Sequence, residues 1–219
     1  MLVKDFITKE LPVLKNFDTG VYALDLMDDY KLKHLPLLKE DIYQSLISEK
    51  DLLAMPEISI SIGDSFLFAP SVMESSHLLE ALSLIARYHL SLIPVVNGEG
   101  VYQGVVTRER LADAFSELCN AECTGGIIVL EVASQDYSLT DIARIVESNN
   151  AHVLSLLSRI DETTGKLIIS LKIDLEDASP VIRSFERFNY TVLYYFMGKG
   201  MVDDVLKERM NELLYYMNM

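Results

Sequence analysis

The chain has 219 residues, of which 50% are hydrophobic and 24% are charged, and this composition excludes a disordered protein. A formal net charge of −14, with no cluster of Lys and Arg, argues against a nucleic-acid polymer as partner. No apolar run approaches the roughly 20 residues of a membrane span, and the charged N-terminus is unlike a signal peptide. We therefore expect a cytoplasmic protein without a membrane segment.

The first half of the chain carries the same pattern twice. When Pro36 is placed over Pro94, the residues on both sides coincide. The matched pairs are Asp18/Ser76, Ala23/Ala81, Leu24/Leu82, Leu26/Leu84, Tyr30/Tyr88, Leu32/Leu90, Leu35/Ile93 and Leu37/Val95. A supersecondary unit repeated in tandem usually cannot bury its apolar face alone. The repeat therefore predicts two packed copies with pseudo-symmetric clefts between them, which are suitable places for a ligand.

Each copy predicts an entry strand, a helix, two strands and a second helix. The spans are 7–14, 22–30, 35–38, 42–47 and a helix from Ser48, then 68–73, 78–88, 92–96, 101–106 and a helix from Thr107. Asp18 and Ser76 are residue types that favour the N-cap position, so we expect them to begin the first helix of each copy. A linker over 55–64 is rich in turn-forming residues.

From Gly125 the pattern changes to strand, helix, two strands, helix and strand. The predicted spans are 127–132, 138–148, 153–160, 167–173, 177–188 and 191–196. This βαββαβ order is ferredoxin-like. An amphipathic helix over 198–219 follows, with an apolar side made by Val205, Leu206, Met210, Leu213 and Leu214. The fold class is therefore α+β, with predicted domains 1–60, 61–122 and 124–197 before that helix.

Several motifs in this pattern resemble known regulatory domains. The strands ending in Leu35-Pro36 and Ile93-Pro94, the Ser48-x-x-Asp51 spacing and the run from Gly104 to Thr107 resemble a pair of CBS domains, a Bateman module. Residues 125–197 resemble an ACT domain by their order of elements. The whole layout is similar to acetoin-utilisation-type CBS–ACT regulatory proteins.

The resemblance implies a ligand and a set of contacts. CBS pairs bind adenosyl ligands such as AMP, ADP, ATP or S-adenosylmethionine in the clefts between the copies. In such clefts a Ser or Thr hydroxyl binds phosphate at a helix start, where free N–H groups favour anions. An Asp three residues later accepts both ribose hydroxyls. By position these roles fall to Ser48, Thr107 and Asp51, with the adenine beside Pro36 and Pro94.

The second copy departs from this pattern, because Arg110 stands where the ribose carboxylate belongs. That cleft is not expected to bind ribose in the family manner, and Arg108 and Arg110 would instead neutralise phosphate. In the first copy Ser45 replaces a usual glycine. A second interpretation stays open throughout. Ser-x-x-Asp before an apolar pair is also a helix capping box, and a lone Thr107 is also an N-cap.

In ACT domains an effector, often an amino acid, binds near the first β–α turn. That turn contains Asp136, but Ser138 stands where a glycine would help. Asn149 and Asn150 would either offer amide hydrogen bonds or simply end the helix, and we favour the helix end. The ACT-like domain would then serve mainly for dimerisation.

The sequence offers no catalytic constellation: it has no Gly-x-Ser-x-Gly elbow, no phosphate-binding glycine loop and no His-x-x-x-His pair. Cys119 and Cys123 are expected to be buried or half-buried thiols, without a disulfide or a metal. We therefore predict a non-enzymatic homodimer without a resident cofactor, which senses an adenine nucleotide or S-adenosylmethionine and signals through the ACT domain. The alternative is a structural dimerisation protein whose clefts hold no ligand.

Overall fold

The computed structural model describes residues 1–64 and 66–197. It confirms the α+β class, with three separate β-sheets and helices packed around them. The chain divides into two compact units, Met1–Ala114 and a second that begins at Phe115. The amphipathic helix predicted over 198–219 lies outside the described residues.

The first unit contains both copies of the repeat. In the first copy the elements are β1 (Leu14–Lys15), α1 (Gly20–Asp29), β2 (His34–Lys39), β3 (Ile42–Ser48) and α2 (Glu49–Leu53). In the second they are β4 (Val72–Met73), α3 (Leu78–Tyr88), β5 (Leu92–Val96), β6 (Tyr102–Thr107) and α4 (Arg108–Leu118). Each copy forms a three-stranded sheet, β1-β2-β3 or β4-β5-β6, with its first pair parallel and its second antiparallel.

The predicted entry strands are much shorter than expected. The spans 7–14 and 68–73 contribute only the two-residue strands β1 and β4. Earlier parts of the same segments pair with the other copy instead. Thr8 and Val105 exchange two backbone hydrogen bonds of 2.8 and 3.0 Å, and the Leu46 N–H donates to the Phe68 carbonyl at 2.8 Å. The predicted strands of eight and six residues are therefore wrong in length, because the early part of each segment pairs with the other copy.

The helix starts predicted at Asp18 and Ser76 are wrong by one residue. Thr19 caps α1 by accepting a first-turn N–H at 3.2 Å, and the His77 ring caps α3 in the same way at 3.3 Å. The Asp18 carboxylate is already engaged, because it accepts the Lys15 N–H at 2.7 Å in the preceding turn. A residue that closes one turn is not available to cap the helix that follows.

The two copies share apolar packing. Leu46 of the first copy and Val3 of the N-terminal segment belong to the core of the second copy. Backbone hydrogen bonds also join the two hairpins: the Tyr43 N–H donates to the Gly100 carbonyl at 3.3 Å. These contacts agree with the expectation that neither copy buries its apolar face alone.

The second unit contains a four-stranded antiparallel sheet with two helices. Its elements are β7 (Ile127–Val132), α5 (Leu139–Glu147), β8 (Val153–Ile160), β9 (Leu167–Ile173), α6 (Ser179–Arg187) and β10 (Thr191–Phe196). The sheet order β10-β7-β9-β8 is the ferredoxin-like arrangement. Side chains from both helices and from alternate strand positions form one core, centred on Phe185. All four strands match their predicted bounds.

Candidate functional site

The first candidate motif forms a complete capping box at the junction of β3 and α2. The Ser48 N–H and hydroxyl both donate to Asp51 Oδ2, at 3.0 and 2.6 Å, and the Asp51 N–H donates to Ser48 Oγ at 3.1 Å. Such a cap contributes about 1 kcal/mol to stability. The structure therefore establishes the capping interpretation, while contact with phosphate and ribose stays a prediction.

The same Ser-x-x-Asp spacing occurs at the start of α5. There the Asp141 N–H donates to Ser138 Oγ at 3.2 Å, but the Asp141 carboxylate pairs with Arg144 at 2.8 Å. Among the described residues, this carboxylate makes no return bond to the cap residue, unlike Asp51. The spacing alone thus indicates a helix start, and a ligand role needs the repeat context in addition.

The second candidate motif lies where β6 runs into α4. Thr107 is 8% exposed, and its Oγ1 accepts the Arg110 N–H at 3.3 Å, so Thr107 caps α4. Arg110 lines a cavity of about 570 Å³ that faces the N-terminal segment; its other lining residues are Lys4, Ile7, Thr8, Lys9, Glu10, Glu74 and Gln103. Within residues 1–64 and 66–197, none of the three cations there makes an ion pair.

A glycine lets the N-terminal segment lie against β6. Gly104 has φ +136°, and a Cβ there would lie 2.8 Å from the Thr8 carbonyl and would collide with Ile7. Ser45 occupies the equivalent position of the first copy. Ser45 pairs with Leu37 and Gly104 pairs with Val95, and these two partners are equivalent in the repeat. The Ser45 side chain is buried, and its hydroxyl has no hydrogen-bond partner among the described residues.

The structure separates the two arginines that the sequence analysis grouped together. Arg110 lines the cavity, whereas the charge of Arg108 acts on His34, a residue of β2 in the first copy. Burial lowers the pKa of His34; Asp51 opposes this effect, and Arg108 and Lys33 add to it. Arg108 and Asp51, from different copies, therefore act on the same half-buried imidazole.

Pro36 and Pro94 are buried in the middle of β2 and β5. A proline is rare at such a place because it lacks the N–H that a sheet requires. Here the adjoining strand is short: β1 pairs with Leu37 and Leu38 only, so it does not reach Pro36. The predicted contact of these prolines with adenine is not tested by this arrangement.

Two half-buried tyrosines, which the sequence analysis did not single out, lie where the copies meet. Tyr43 and Tyr102 are equivalent in the repeat, and the Tyr43 hydroxyl donates to the Pro70 carbonyl at 3.0 Å. Burial raises the pKa of Tyr43 strongly, and it raises the pKa of Tyr102 to about 12. The repeated Tyr-Gln pair in the two second strands was the available signal.

The second unit has a cavity of about 430 Å³ beside the turn that contains Asp136. Its polar lining includes Glu131, Asp136, Asp141, Arg144, Lys166 and Tyr190. The pKa of Tyr190 is raised, first by burial and then by the nearby acidic groups. Ser138 is not among the residues that line this cavity, and its hydroxyl caps α5. The structure thus separates the two predicted effector residues.

Other predicted residues have structural roles. Asn149 donates to the Ile145 carbonyl at 2.7 Å and to Ser184 Oγ at 3.0 Å, so it closes α5 and ties it to α6. Asn150 has φ +56°, which is typical of a helix end. Cys119 is half-buried as expected, but Cys123 is exposed, because it lies in the loop after α4.

The described residues lack two features, a side-chain cluster suited to a metal ion and a helix suited to a membrane. In that part of the chain, no group of three or more His, Cys, Asp or Glu side chains is placed to hold a metal ion. The described helices also include none with the length and apolar character needed to cross a bilayer.

Residues 69–117 match the family model described as "CBS domain". This match covers the second repeat from before β4 into α4. The first repeat has the same order of elements and the same strand pairing.

Solved structures of CBS-domain proteins resemble the chain over about half its length. A CBS domain pair/ACT domain protein from Thermotoga maritima is 24% identical with a TM-score of 0.49, over 53% of this chain and 98% of that protein. CBSX2 in complex with AMP is 26% identical with a TM-score of 0.47, over 53% and 96%. The CBS domain of a bacterial CNNM/CorC-family Mg²⁺ transporter in complex with ATP is 20% identical with a TM-score of 0.43, over 52% and 85%. TM-scores below 0.5 describe a general likeness and assign no ligand to this chain.

Proposed function

We propose that the repeat pair binds an adenine nucleotide and that the protein is a regulatory sensor without catalytic activity. One observation carries this proposal. Asp51 of the first repeat stands at the same strand-to-helix junction as Arg110 of the repeat that matches the CBS domain. A carboxylate at that junction has the two acceptor oxygens that a ribose diol requires. Its Oδ2 is held by Ser48, which fixes the direction of the carboxylate.

The proposal assigns ligand contacts to residues of both repeats. Asp51 binds the ribose, Ser48 contacts the first phosphate, and the adenine lies beside Pro36. Arg108 is placed to offset phosphate charge, because its own charge reaches the imidazole that Asp51 also influences. Arg110 would serve the second cleft, whose cavity is not lined by the buried residues Thr107 and Pro94.

The second cleft differs in the ligand that it suits. Its cavity gathers Lys4, Lys9 and Arg110 against the carboxylates of Glu10 and Glu74. Cations without ion-pair partners favour a multiply charged oxyanion, and the cleft has no carboxylate at the ribose position. We therefore assign this cleft to phosphate groups and not to a nucleoside.

A thermal-shift screen tests the nucleotide proposal with AMP, ADP, ATP, S-adenosylmethionine and cyclic dinucleotides. A ligand at one hundred times its Kd stabilises by about 2.7 kcal/mol, which raises Tm by several degrees. We expect a shift with one adenosyl ligand that Asp51→Asn abolishes. Asp141→Asn is the matched control, because Asp141 holds the same position after a Ser N-cap in the second unit. A shift that Asp51→Asn leaves intact contradicts the assignment of the site.

The alternative function is a scaffold whose clefts hold no ligand. The observation that favours it is the complete capping box, in which the functional groups of Ser48 and Asp51 bind each other. If no adenosyl ligand in the screen shifts Tm, the scaffold becomes the better description. Ser48 and Asp51 are then a helix cap only.

We further propose that the second unit is an ACT-type domain that mediates dimerisation and binds a small effector. The cavity beside Asp136 combines acidic groups with Arg144 and Lys166, a set that complements a zwitterion such as an amino acid. Light scattering tests the dimer against the chain mass of 24.7 kDa. Calorimetry with the twenty amino acids, repeated on Asp136→Asn, tests the effector. If a monomer is observed, or if the variant binds unchanged, the corresponding part of this proposal is wrong.

A further inference from the structure

A short chain of hydrogen bonds connects the two repeats at their junction. The Lys33 N–H donates to Ser91 Oγ at 3.3 Å, and Ser91 Oγ lies 3.1 Å from His34 Nδ1. The backbone N–H of Ser91 also donates to His34 Nδ1, at 3.2 Å. Lys33 and His34 belong to the first repeat, and Ser91 belongs to the second. A single imidazole nitrogen thus holds a backbone amide of the other repeat.

This geometry fixes the protonation state of the ring. A backbone N–H can only donate, so Nδ1 must keep its lone pair and the ring proton must be on Nε2. The Ser91 hydroxyl can then donate to Nδ1 while it accepts the Lys33 N–H. Every group in the chain has a compatible partner only when His34 is neutral.

If His34 Nδ1 were protonated, its N–H and the backbone N–H of Ser91 would face each other, and neither group could accept a hydrogen bond. The Ser91 amide would lose its acceptor at a part-buried position. The charged groups that act on the ring are Lys33 from the same segment, Asp51 from α2 and Arg108 from α4. The two cations oppose a positive charge on the ring and Asp51 favours it. Burial opposes it most of all, so the pKa of His34 is lowered from its ordinary value of 6.5.

We propose that His34 is a proton-operated clasp between the two repeats, which holds Ser91 while neutral and releases it when protonated. The release reaches a candidate ligand site, because the Ser91 carbonyl accepts the Arg108 N–H at 3.2 Å and so anchors the first residue of α4. The second repeat has no equivalent of this histidine, because Leu92 occupies the position that corresponds to His34. This inference goes beyond the nucleotide proposal and does not depend on a bound ligand.

The direction of the pH effect follows from the lowered pKa. Between the folded and unfolded pKa values, the unfolded chain binds more protons than the folded one. The stabilisation is therefore complete above pH 6.5, the unfolded value, and is lost progressively as the pH falls through the lower, folded value. The clasp is closed at neutral pH and opens under acidification.

Nitrogen-15 NMR of the histidine side chains in the full-length protein tests the clasp directly. We expect His34 to show the Nε2–H tautomer at pH 7.5 and to titrate with a midpoint below 6.5. The Ser91 amide signal should move with the same midpoint. An Nδ1–H tautomer, or a midpoint at or above 6.5, overturns the proposal without any variant.

Two substitutions separate the clasp from other acid effects. His34→Asn keeps an acceptor at the Nδ1 position but cannot titrate, so its urea midpoint should fall less between pH 7.5 and pH 5.5 than that of the unsubstituted protein. His89→Asn is the matched control, because His89 is an exposed histidine of the second repeat and its φ of +54° is one that Asn tolerates. We expect His89→Asn to keep the full acid-induced loss in midpoint. Equal losses in all three proteins would overturn the proposal.

Discussion

The two repeats of the first unit have one fold and two different chemistries. Both form a parallel pair followed by an antiparallel hairpin, with a bulge at the same place in each hairpin. At equivalent positions, however, the first repeat has Asp51 and the second has Arg110. The backbone tolerates this exchange because both side chains project from a helix start that a hydroxyl caps. Conservation of the fold therefore does not imply conservation of the ligand, and each cleft has to be tested by itself.

The largest effect on stability is expected at Gly104, the residue of β6 against which the N-terminal segment packs. Gly104→Ser gives the second repeat the residue of the first, at φ +136° and against the Thr8 carbonyl. Backbone strain and overpacking together predict a loss of about 2–4 kcal/mol in the free energy of unfolding. Urea denaturation measures it, with Gly98→Ser as control, because a Cβ at Gly98 meets no atom within 4 Å. A loss no greater than that of the control would show that the segment can move aside.

The next test concerns the charge of the second cleft. Arg110→Ala should weaken binding of tripolyphosphate by about ten- to a hundredfold, because a charge-assisted hydrogen bond contributes about 1.5–3 kcal/mol. The dependence of affinity on salt concentration should fall with it. Isothermal calorimetry at two salt concentrations measures both. Arg87→Ala, an exposed substitution in the same repeat, is the control. Equal affinities for the two variants would remove Arg110 from the site.

A smaller difference is expected between the two helix caps. Ser48 takes part in three hydrogen bonds with Asp51, whereas Thr107 accepts one N–H at 3.3 Å. Ser48→Ala should therefore cost about 1–2 kcal/mol and Thr107→Ala about 0.5–1 kcal/mol of unfolding free energy. Chemical denaturation of both variants gives the comparison. The reverse order would mean that the Ser48 box is not formed in solution.

The smallest effect is a gain in stability. The buried Ser45 hydroxyl has no hydrogen-bond partner in the described part of the chain. Ser45→Ala removes a desolvated polar group and should raise the unfolding free energy by about 0.5–1 kcal/mol. Thermal unfolding detects this gain. A loss of stability would show that the hydroxyl has a partner in solution, such as an ordered water.

Local patterns predicted the elements well where each element has local boundaries. The four strands of the second unit match to the residue because apolar runs are closed there by turn-forming residues such as Gly165. The entry strands of the first unit did not match. Their partners, such as Val105 for Thr8, are nearly a whole unit away in sequence. Periodicity indicates an extended segment but does not identify the strand it pairs with.

The candidate site was predictable in its motifs and not in its contacts. Spacing found Ser48 with Asp51 and Thr107 with Arg110. It grouped Arg108 with Arg110, although residues two apart on a helix point in nearly opposite directions, so this separation could have been foreseen. The contact of His34 with Ser91 could not, because nothing in either local sequence indicates the other. The repeated Tyr-Gln pair did mark Tyr43 and Tyr102 as equivalent positions, but it did not indicate that the Tyr43 hydroxyl binds the Pro70 carbonyl.

The pairing of Thr8 with Val105 has a consequence for how the first unit is made. During synthesis the segment that contains Thr8 is made long before β6. It therefore stays unpaired while most of the first unit is translated. Closing so large a loop is entropically costly and slows folding. Until it closes, β6 presents an open edge that another chain could occupy. A truncation that removed the first ten residues would leave that edge open permanently, and we expect such a fragment to aggregate.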